Sequence, residues 1–265
     1  MKLSGDTSVL EALYKKRRRQ RDGESVEHIR PLLLVDGGLM KGVYGVGAVA
    51  ALHERGYLDI FETLVGVSAG ALTLAFALGG KMLAMERLVT ERLATRDFLN
   101  MWNFKNILNT QYFREEIAHA LDWEVIKNTK PNYYVGLSHF KTAFPELFAP
   151  ETEEEFLTAM QATIAMPGAV SEPLYLRGAR YVDGASTDPY IMHYAIETLR
   201  PTHVLVLTNQ DENTKDILWF DKLATQTIFR NRMTPTLRRV AVSRAQRRYQ
   251  WVQRVLEESP VPVCF

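Results

Sequence analysis

Residues 31–80 constrain the fold more than any other part of the chain. Pro31 opens the run Pro-Leu-Leu-Leu-Val-Asp-Gly-Gly, and residues 62–67 read Glu-Thr-Leu-Val-Gly-Val. Each is a short apolar run closed by a turn signal, the pattern of a strand buried on both faces. Between them lies KGVYGVGAVAALHERG, whose apolar positions suit a helix packed on a sheet and ending at Gly56. Gly42, Gly45 and Gly47 weaken its helix propensity but permit close approach to neighbours. After Ser68 comes AGALTLAFAL, a short apolar helix. Strand, helix, strand, helix is a βαβ unit, which demands a parallel sheet and a right-handed crossover. The fold class is therefore α/β.

The rest of the chain extends that pattern. Residues 81–128 read as mostly helical, with a break around NMWNFKNILN. The segment NYYVGLSHF (132–140) is rich in strand formers. ETEEEFLTAMQATIAM has an acidic first turn and a helical period, and Pro167-Gly168 stops it. Two short strands are expected around Arg177-Gly178, with a turn at Asp183-Gly184, and THVLVLTN (202–209) is another buried strand. Residues 211–265 are helical in composition and strongly basic.

Composition excludes several classes. Of 265 residues 46% are hydrophobic and 24% charged, and the net charge is +1, so no overall field selects a polyanion. The single cysteine, Cys264, forms no intramolecular disulfide, and no Cys/His cluster has zinc-site spacing. The first residues lack the apolar stretch of a secretory signal, and no window reaches the ~18 apolar residues of a spanning helix. A cytoplasmic protein is expected, with any membrane contact peripheral, at the inner face. No metal and no cofactor is called for.

The chemistry-bearing residues gather around the βαβ unit. Gly66-Val67-Ser68-Ala69-Gly70 places a serine between glycines, after a strand and before a helix. A nucleophile on a sharp turn needs small flanking residues and a helix N-terminus beneath it. The same pattern also describes a glycine-rich turn with Ser68 capping the helix. Upstream, Asp36-Gly37-Gly38-Leu39-Met40-Lys41-Gly42 lies at the carboxyl end of the first strand, where open parallel sheets bind ligands. It matches neither a P-loop nor a dinucleotide fingerprint. It is either an anion cradle or an oxyanion hole beside Ser68.

A nucleophilic serine needs a base. The order Ser68, Asp183, then His193 or His203 satisfies an α/β-hydrolase triad formally, but neither histidine falls in a strand-end loop. Asp183 ends a strand and is followed by Gly184 and Ala185. It is either a buried carboxylate base or an ordinary Asp-Gly turn.

Taken together, Asp-Gly-Gly-x-x-Lys-Gly, Gly-Val-Ser-Ala-Gly and the downstream IAMPGAVSEPLYLRGARYVDGAS resemble the patatin-like phospholipase family over roughly residues 31–210. The resemblance implies a three-layer α/β/α sandwich around a mostly parallel sheet. It implies a Ser68–Asp183 dyad that hydrolyses lipid acyl esters without a histidine. It further implies Gly37, Gly38 and Leu39 as backbone oxyanion donors, with Lys41 at the customary basic position. Gly42, Gly66, Gly70, Gly184 and Ala185 support the motifs. Leu39 departs from the family, which commonly has a third glycine there. The competing readings are a histidine-triad esterase and a non-catalytic protein that binds lipid or acyl anions.

Three regions are expected: a basic tail over 1–30, a catalytic domain over 31–210 and a basic helical extension over 211–265. Lys15, Lys16, Arg17, Arg18, Arg19 and Arg21 crowd the first. Nine basic and no acidic residues lie between Lys222 and Leu256 in the last. Each is a solvated charged segment or a contact for anionic lipid. No module for reading nucleic acid accompanies the charge, so no nucleic-acid partner is expected; the partner that the resemblance implies is a lipid acyl ester.

Overall fold

The architecture is that of a computed structural model, which describes residues 3–38, 41–100, 102–103, 106–187, 190–209, 232–240 and 255–265. Helix α1 (Ser8–Arg21) precedes the expected unit: β1 (Pro31–Val35), α2 (Gly42–Glu54), β2 (Thr63–Val67) and α3 (Ala69–Leu78). Helices α4 (Met82–Arg87), α5 (Thr110–Ala120) and α6 (Trp123–Lys127) follow, with the expected break between α4 and α5. Then come β3 (Asn132–His139), β4 (Pro145–Phe148), α7 (Glu153–Ile164), β5 (Leu174–Leu176) and β6 (Ala179–Asp183). Helix α8 (Tyr190–Leu199), β7 (His203–Leu207) and β8 (Val263–Cys264) complete the described elements.

The strands form one eight-stranded sheet in the order β5-β6-β3-β2-β1-β7-β8, with β4 also paired to β3. Strands β3, β2, β1, β7 and β8 run parallel; β4 and β6 each pair antiparallel to β3, and β5 pairs antiparallel to β6. The central strands are apolar throughout because both faces are covered. Leu33 and Val35 belong to the larger core cluster with Leu74, Phe76 and Met160 from α3 and α7. Leu32 and Leu34 face Ile191, Met192, Ala195 and Ile196 of α8. Side-chain alternation along β1 thus separates the two helical layers of an α/β/α sandwich.

Both ends of the chain differ from the sequence reading. Residues 8–21 are not a solvated arm. Val9, Leu13 and Lys16 of α1 are buried. The Lys16 ammonium donates to the Ile29 carbonyl (2.7 Å), and Arg17 stacks over Tyr57 at 4.2 Å. Arg19 pairs with Glu24 at 3.2 Å. A period-3.6 apolar stripe hidden among the cations explains the difference. At the other end, Val263 and Cys264 are not helical; they extend the sheet beside β7. Residues 235–240 are helical, and Leu237 packs against Ala143 and Val182. Of the nine basic residues of that segment only Arg232, Arg238 and Arg239 lie within the described residues.

Candidate active site

The serine turn is tight because two glycines let backbone pass against backbone. A Cβ on Gly66 would lie 2.3 Å from the Ala71 Cα, and one on Gly70 would lie 2.1 Å from the Val35 carbonyl oxygen. No side chain larger than hydrogen fits either place. Ser68 itself adopts φ 52° and ψ −124°, a strained backbone for a residue with a Cβ. It is buried, and its hydroxyl makes no capping hydrogen bond to α3. The side chains of Asn109, Asp122 and Thr152 do cap their helices. The Ser68 side chain therefore does not cap α3.

The glycine loop lies against that serine. A Cβ on Gly37 would stand 2.9 Å from the Ser68 Cβ and 3.6 Å from its Oγ. Gly42, the first residue of α2, approaches the Ala69 Cβ within 2.7 Å by the same measure. Gly45 packs against Asn209, whereas Gly47 meets nothing within 4 Å. Lys41 is exposed, and its N–H donates to the Gly38 carbonyl at 2.9 Å. Leu39, the departure from the family pattern, lies outside the described residues, as does Met40.

Asp183 reaches the same edge from the far side of β3. Val67 pairs with Gly136, so Ser68 stands one position further, level with Leu137; Leu137 in turn pairs with Asp183. Ser68, which follows the last residue of β2, and Asp183, the last of β6, thus reach the same edge on either side of β3, with about 5 Å between neighbouring strands. Asp183 is buried, and its Oδ1 accepts the Ala185 N–H at 2.8 Å. The Asp-Gly turn is thus real, and it orients the carboxylate. Gly184 is required beside it, since a Cβ there would lie 2.3 Å from the Gly136 carbonyl oxygen.

The end of α7 ties the two residues together. The Thr163 hydroxyl accepts the Ser68 N–H (2.8 Å) and donates to the Gly136 carbonyl (2.9 Å). The Ala165 carbonyl accepts the Asp183 N–H at 3.0 Å. The Ser138 hydroxyl sits 2.9 Å from the Asp183 carbonyl and 2.8 Å from the Thr187 hydroxyl. The Tyr133 hydroxyl donates to the Ala71 carbonyl at 2.7 Å, and burial drives its pKa far above the usual phenol range. It remains a donor at every physiological pH. Sequence reasoning missed Thr163, Ser138, Tyr133 and Asn209. The signal was a lone polar group in an apolar run, which when buried must find a partner.

The two histidines of the formal triad are engaged elsewhere. His203 opens β7 beside Pro31, at the amino edge of the sheet, more than about 15 Å along the strands from Ser68. Burial lowers its pKa. His193 is largely exposed on α8 and faces Glu197 at 3.0 Å. Each is thus partnered by a neighbour in sequence, Glu197 or Thr202. No group of three or more His, Cys, Asp or Glu side chains among the described residues could hold a metal ion. Among the aromatic residues around the break between α4 and α5, Phe113 is core and Trp102 is exposed. Tyr112 is partly exposed, and Phe104 lies outside the described residues.

A parallel-centred α/β sandwich with a strained serine at a strand–helix elbow defines a class of protein. The model of one family within it, the patatin-like phospholipases, matches residues 33–196, and the chain belongs to that family. A relative is the "Uncharacterized protein YjjU" of Escherichia coli (strain K12), 21% identical over 202 residues. That match covers 73% of this chain and 56% of the relative, so the chain spans little more than half the relative's length. Among solved structures, VipD from Legionella pneumophila matches 86% of this chain and 67% of its own. Its TM-score is 0.48 at 14% identity. Among the described residues no helix is long and apolar enough to cross a membrane.

Proposed function

We propose that this protein hydrolyses acyl esters of lipids, with Ser68 as nucleophile and Asp183 as general base. The observation that supports the reading is a strained, buried Ser68 just past the end of β2 and a buried Asp183 at the end of β6, on either side of β3. Family membership supports a hydrolase in general and a lipid as its substrate. In the proposed cycle the Asp183 carboxylate takes the Ser68 hydroxyl proton as Oγ attacks the ester carbonyl carbon. The carbonyl electrons move onto oxygen, which the N–H groups of Gly37, Gly38 and Leu39 receive. The Ser68 N–H is already given to Thr163, which leaves the glycine loop and the helix that starts after Ser68 to supply this stabilisation. Each such donor is worth roughly 10²–10³ in rate. Asp183 then passes its proton to the departing alcohol. Water, deprotonated by the same carboxylate, attacks the acyl-serine; the bond from Ser68 Oγ to the acyl carbon breaks, Asp183 returns the proton to Oγ, and the fatty acid leaves.

The lipid would approach the carboxyl edge of the sheet. Val43 and Tyr44, in the first turn of α2 beside the glycine loop, are 50% and 73% exposed, with exposed Lys41 next to them. The basic half of α1 is fastened near the starts of β1 and β2, the opposite edge. An N-terminal arm attached to a membrane would turn Ser68 away from it.

The test is a panel of phospholipid, lysophospholipid and neutral lipid esters in mixed anionic and zwitterionic vesicles. Ser68→Ala and Asp183→Asn are each expected to lower kcat by at least about 10³-fold, with unchanged thermal unfolding. Tyr44→Ser is expected to slow vesicle hydrolysis but not hydrolysis of a water-soluble ester. Retained activity in Ser68→Ala defeats the dyad. Lipid binding without hydrolysis, or without labelling of Ser68 by a fluorophosphonate, leaves a lipid-binding protein instead.

A further inference from the structure

Asn209 stands two residues past β7 and spends its whole amide on the glycine loop and the helix behind it. Its Nδ2 donates to the Asp36 carbonyl at 3.0 Å and to the Gly37 carbonyl at 3.4 Å. Its Oδ1 accepts the Gly45 N–H at 2.9 Å. The partners fix the orientation of the amide, since two carbonyls require the NH₂ and an N–H requires the oxygen. The side chain is buried and closely seated: a Cβ on Gly38 would lie 2.9 Å from its Cβ, and one on Gly45 3.3 Å from its Oδ1. The loop therefore runs between Asn209 on one side and Ser68, against Gly37, on the other.

The consequence follows from peptide geometry. In a planar trans peptide, the carbonyl of one residue and the N–H of the next point in opposite directions. Drawing the Asp36 carbonyl towards Asn209 turns the Gly37 N–H away from it. Drawing the Gly37 carbonyl the same way does so for the Gly38 N–H. We propose that Asn209 is a positioning residue of the oxyanion hole, aiming the N–H groups of Gly37 and Gly38 at the ester oxygen by holding the carbonyls on their far side. The inference rests on the proposed hydrolysis at Ser68. A hydrogen-bonded side chain gives this aim at no cost in reorganisation when charge develops, which is what an oxyanion hole requires.

Asn209→Asp separates aim from packing. It keeps the size and the acceptor that faces the Gly45 N–H, but sets an oxygen against two carbonyls. The assay is hydrolysis of p-nitrophenyl butyrate by wild type, Ser68→Ala, Asn209→Asp and Asn209→Gln. Active sites are counted by fluorophosphonate titration, and thermal unfolding is followed in parallel. In Asn209→Asp, kcat per titrated site should fall about 30- to 100-fold with KM within about threefold. Asn209→Gln, which restores both amide groups one methylene further out, should recover part of the loss and serves as the comparison if the aspartate variant does not fold. Unchanged kcat per titrated site in whichever variants fold would overturn the inference, even if unfolding temperature drops, because it would leave Asn209 a packing residue. Loss in KM rather than kcat would overturn it too. A wild type without activity, or a Ser68→Ala variant that keeps it, overturns the underlying reading instead, and this inference with it.

Discussion

The two edges of the central sheet are built on different principles. At the carboxyl edge, backbone passes against backbone at Gly66, Gly70 and Gly184, and Ser68 is held at a positive φ. Buried hydroxyls and amides from Thr163, Ser138 and Asn209 are all engaged with main chain. At the amino edge the sheet is closed by long side chains that snorkel: Lys16 to the Ile29 carbonyl, Arg17 over Tyr57, Arg30 to the Arg200 carbonyl. Burial of the strands requires no more than the second kind of construction. The first kind stores strain of about 1–3 kcal/mol per residue in a disfavoured conformation. Its effect at this edge is to fix the positions of a few backbone atoms and one hydroxyl.

If that contrast is right, the carboxyl edge should break where a single methyl group is added. Gly70→Ala drives a Cβ to 2.1 Å from the Val35 carbonyl oxygen, backbone against backbone, and is expected to cost about 4 kcal/mol or more. Gly47→Ala sits in the same motif-bearing helix as Gly42 and Gly45 but meets nothing within 4 Å. It should stabilise by about 0.5–1 kcal/mol, the gain from replacing an exposed helical glycine. Urea unfolding of both variants measures the difference. Equal effects in the two would mean that the glycines are not distinguished by their surroundings.

A smaller effect isolates the brace. Thr163→Val keeps the shape but leaves the Ser68 N–H and the Gly136 carbonyl without the hydroxyl they share. Two buried polar groups at about 1–2 kcal/mol each, the lower part of the usual range, predict a loss of about 2–4 kcal/mol. Thr163→Ser retains the hydroxyl and should cost about 1 kcal/mol, the removed methyl group. Ester hydrolysis should follow the same order, low in the valine variant and near wild type in the serine. A valine variant as stable as the serine one would show that the elbow does not depend on α7.

Much of the frame was legible in the residues because its causes are local. Apolar runs, turn glycines and helix caps carry their own signals, and β1 to α3 falls where they place it. The motifs carrying Ser68, Gly37, Gly38 and Asp183 were legible for the same reason: each is a short stretch with a strand before it. What joins them was not. Thr163 lies 95 residues from Ser68 and Asn209 164 residues from Gly45, and nothing local announces which backbone group a buried hydroxyl or amide will meet. Strand β4 escaped notice because four residues carry too little periodicity. Helix α1 escaped because its cations outnumber the apolar positions that dock it.

The smallest effect belongs to the amino edge, and its sign discriminates between a buried lysine that holds the fold and one that is merely accommodated. Burial lowers the pKa of Lys16; Glu62 opposes the shift and Lys130 adds to it. The folded chain therefore releases this proton at lower pH than the unfolded chain does. Below the folded value, charged Lys16 weighs on the native state; between that value and the ordinary one near 10.5, unfolding takes up a proton, so stability attributable to Lys16 rises with pH. Lys16→Met removes both the charge and the donor to the Ile29 carbonyl. These losses offset each other, so near pH 7 the variant should lie within about 1 kcal/mol of wild type. The wild type should gain on it as pH climbs towards 10. Urea unfolding of the pair at stepped pH reads the trend. If the methionine variant instead gains on wild type with rising pH, the charged amine is a support of the amino edge, and the two edges are less different than their construction indicates.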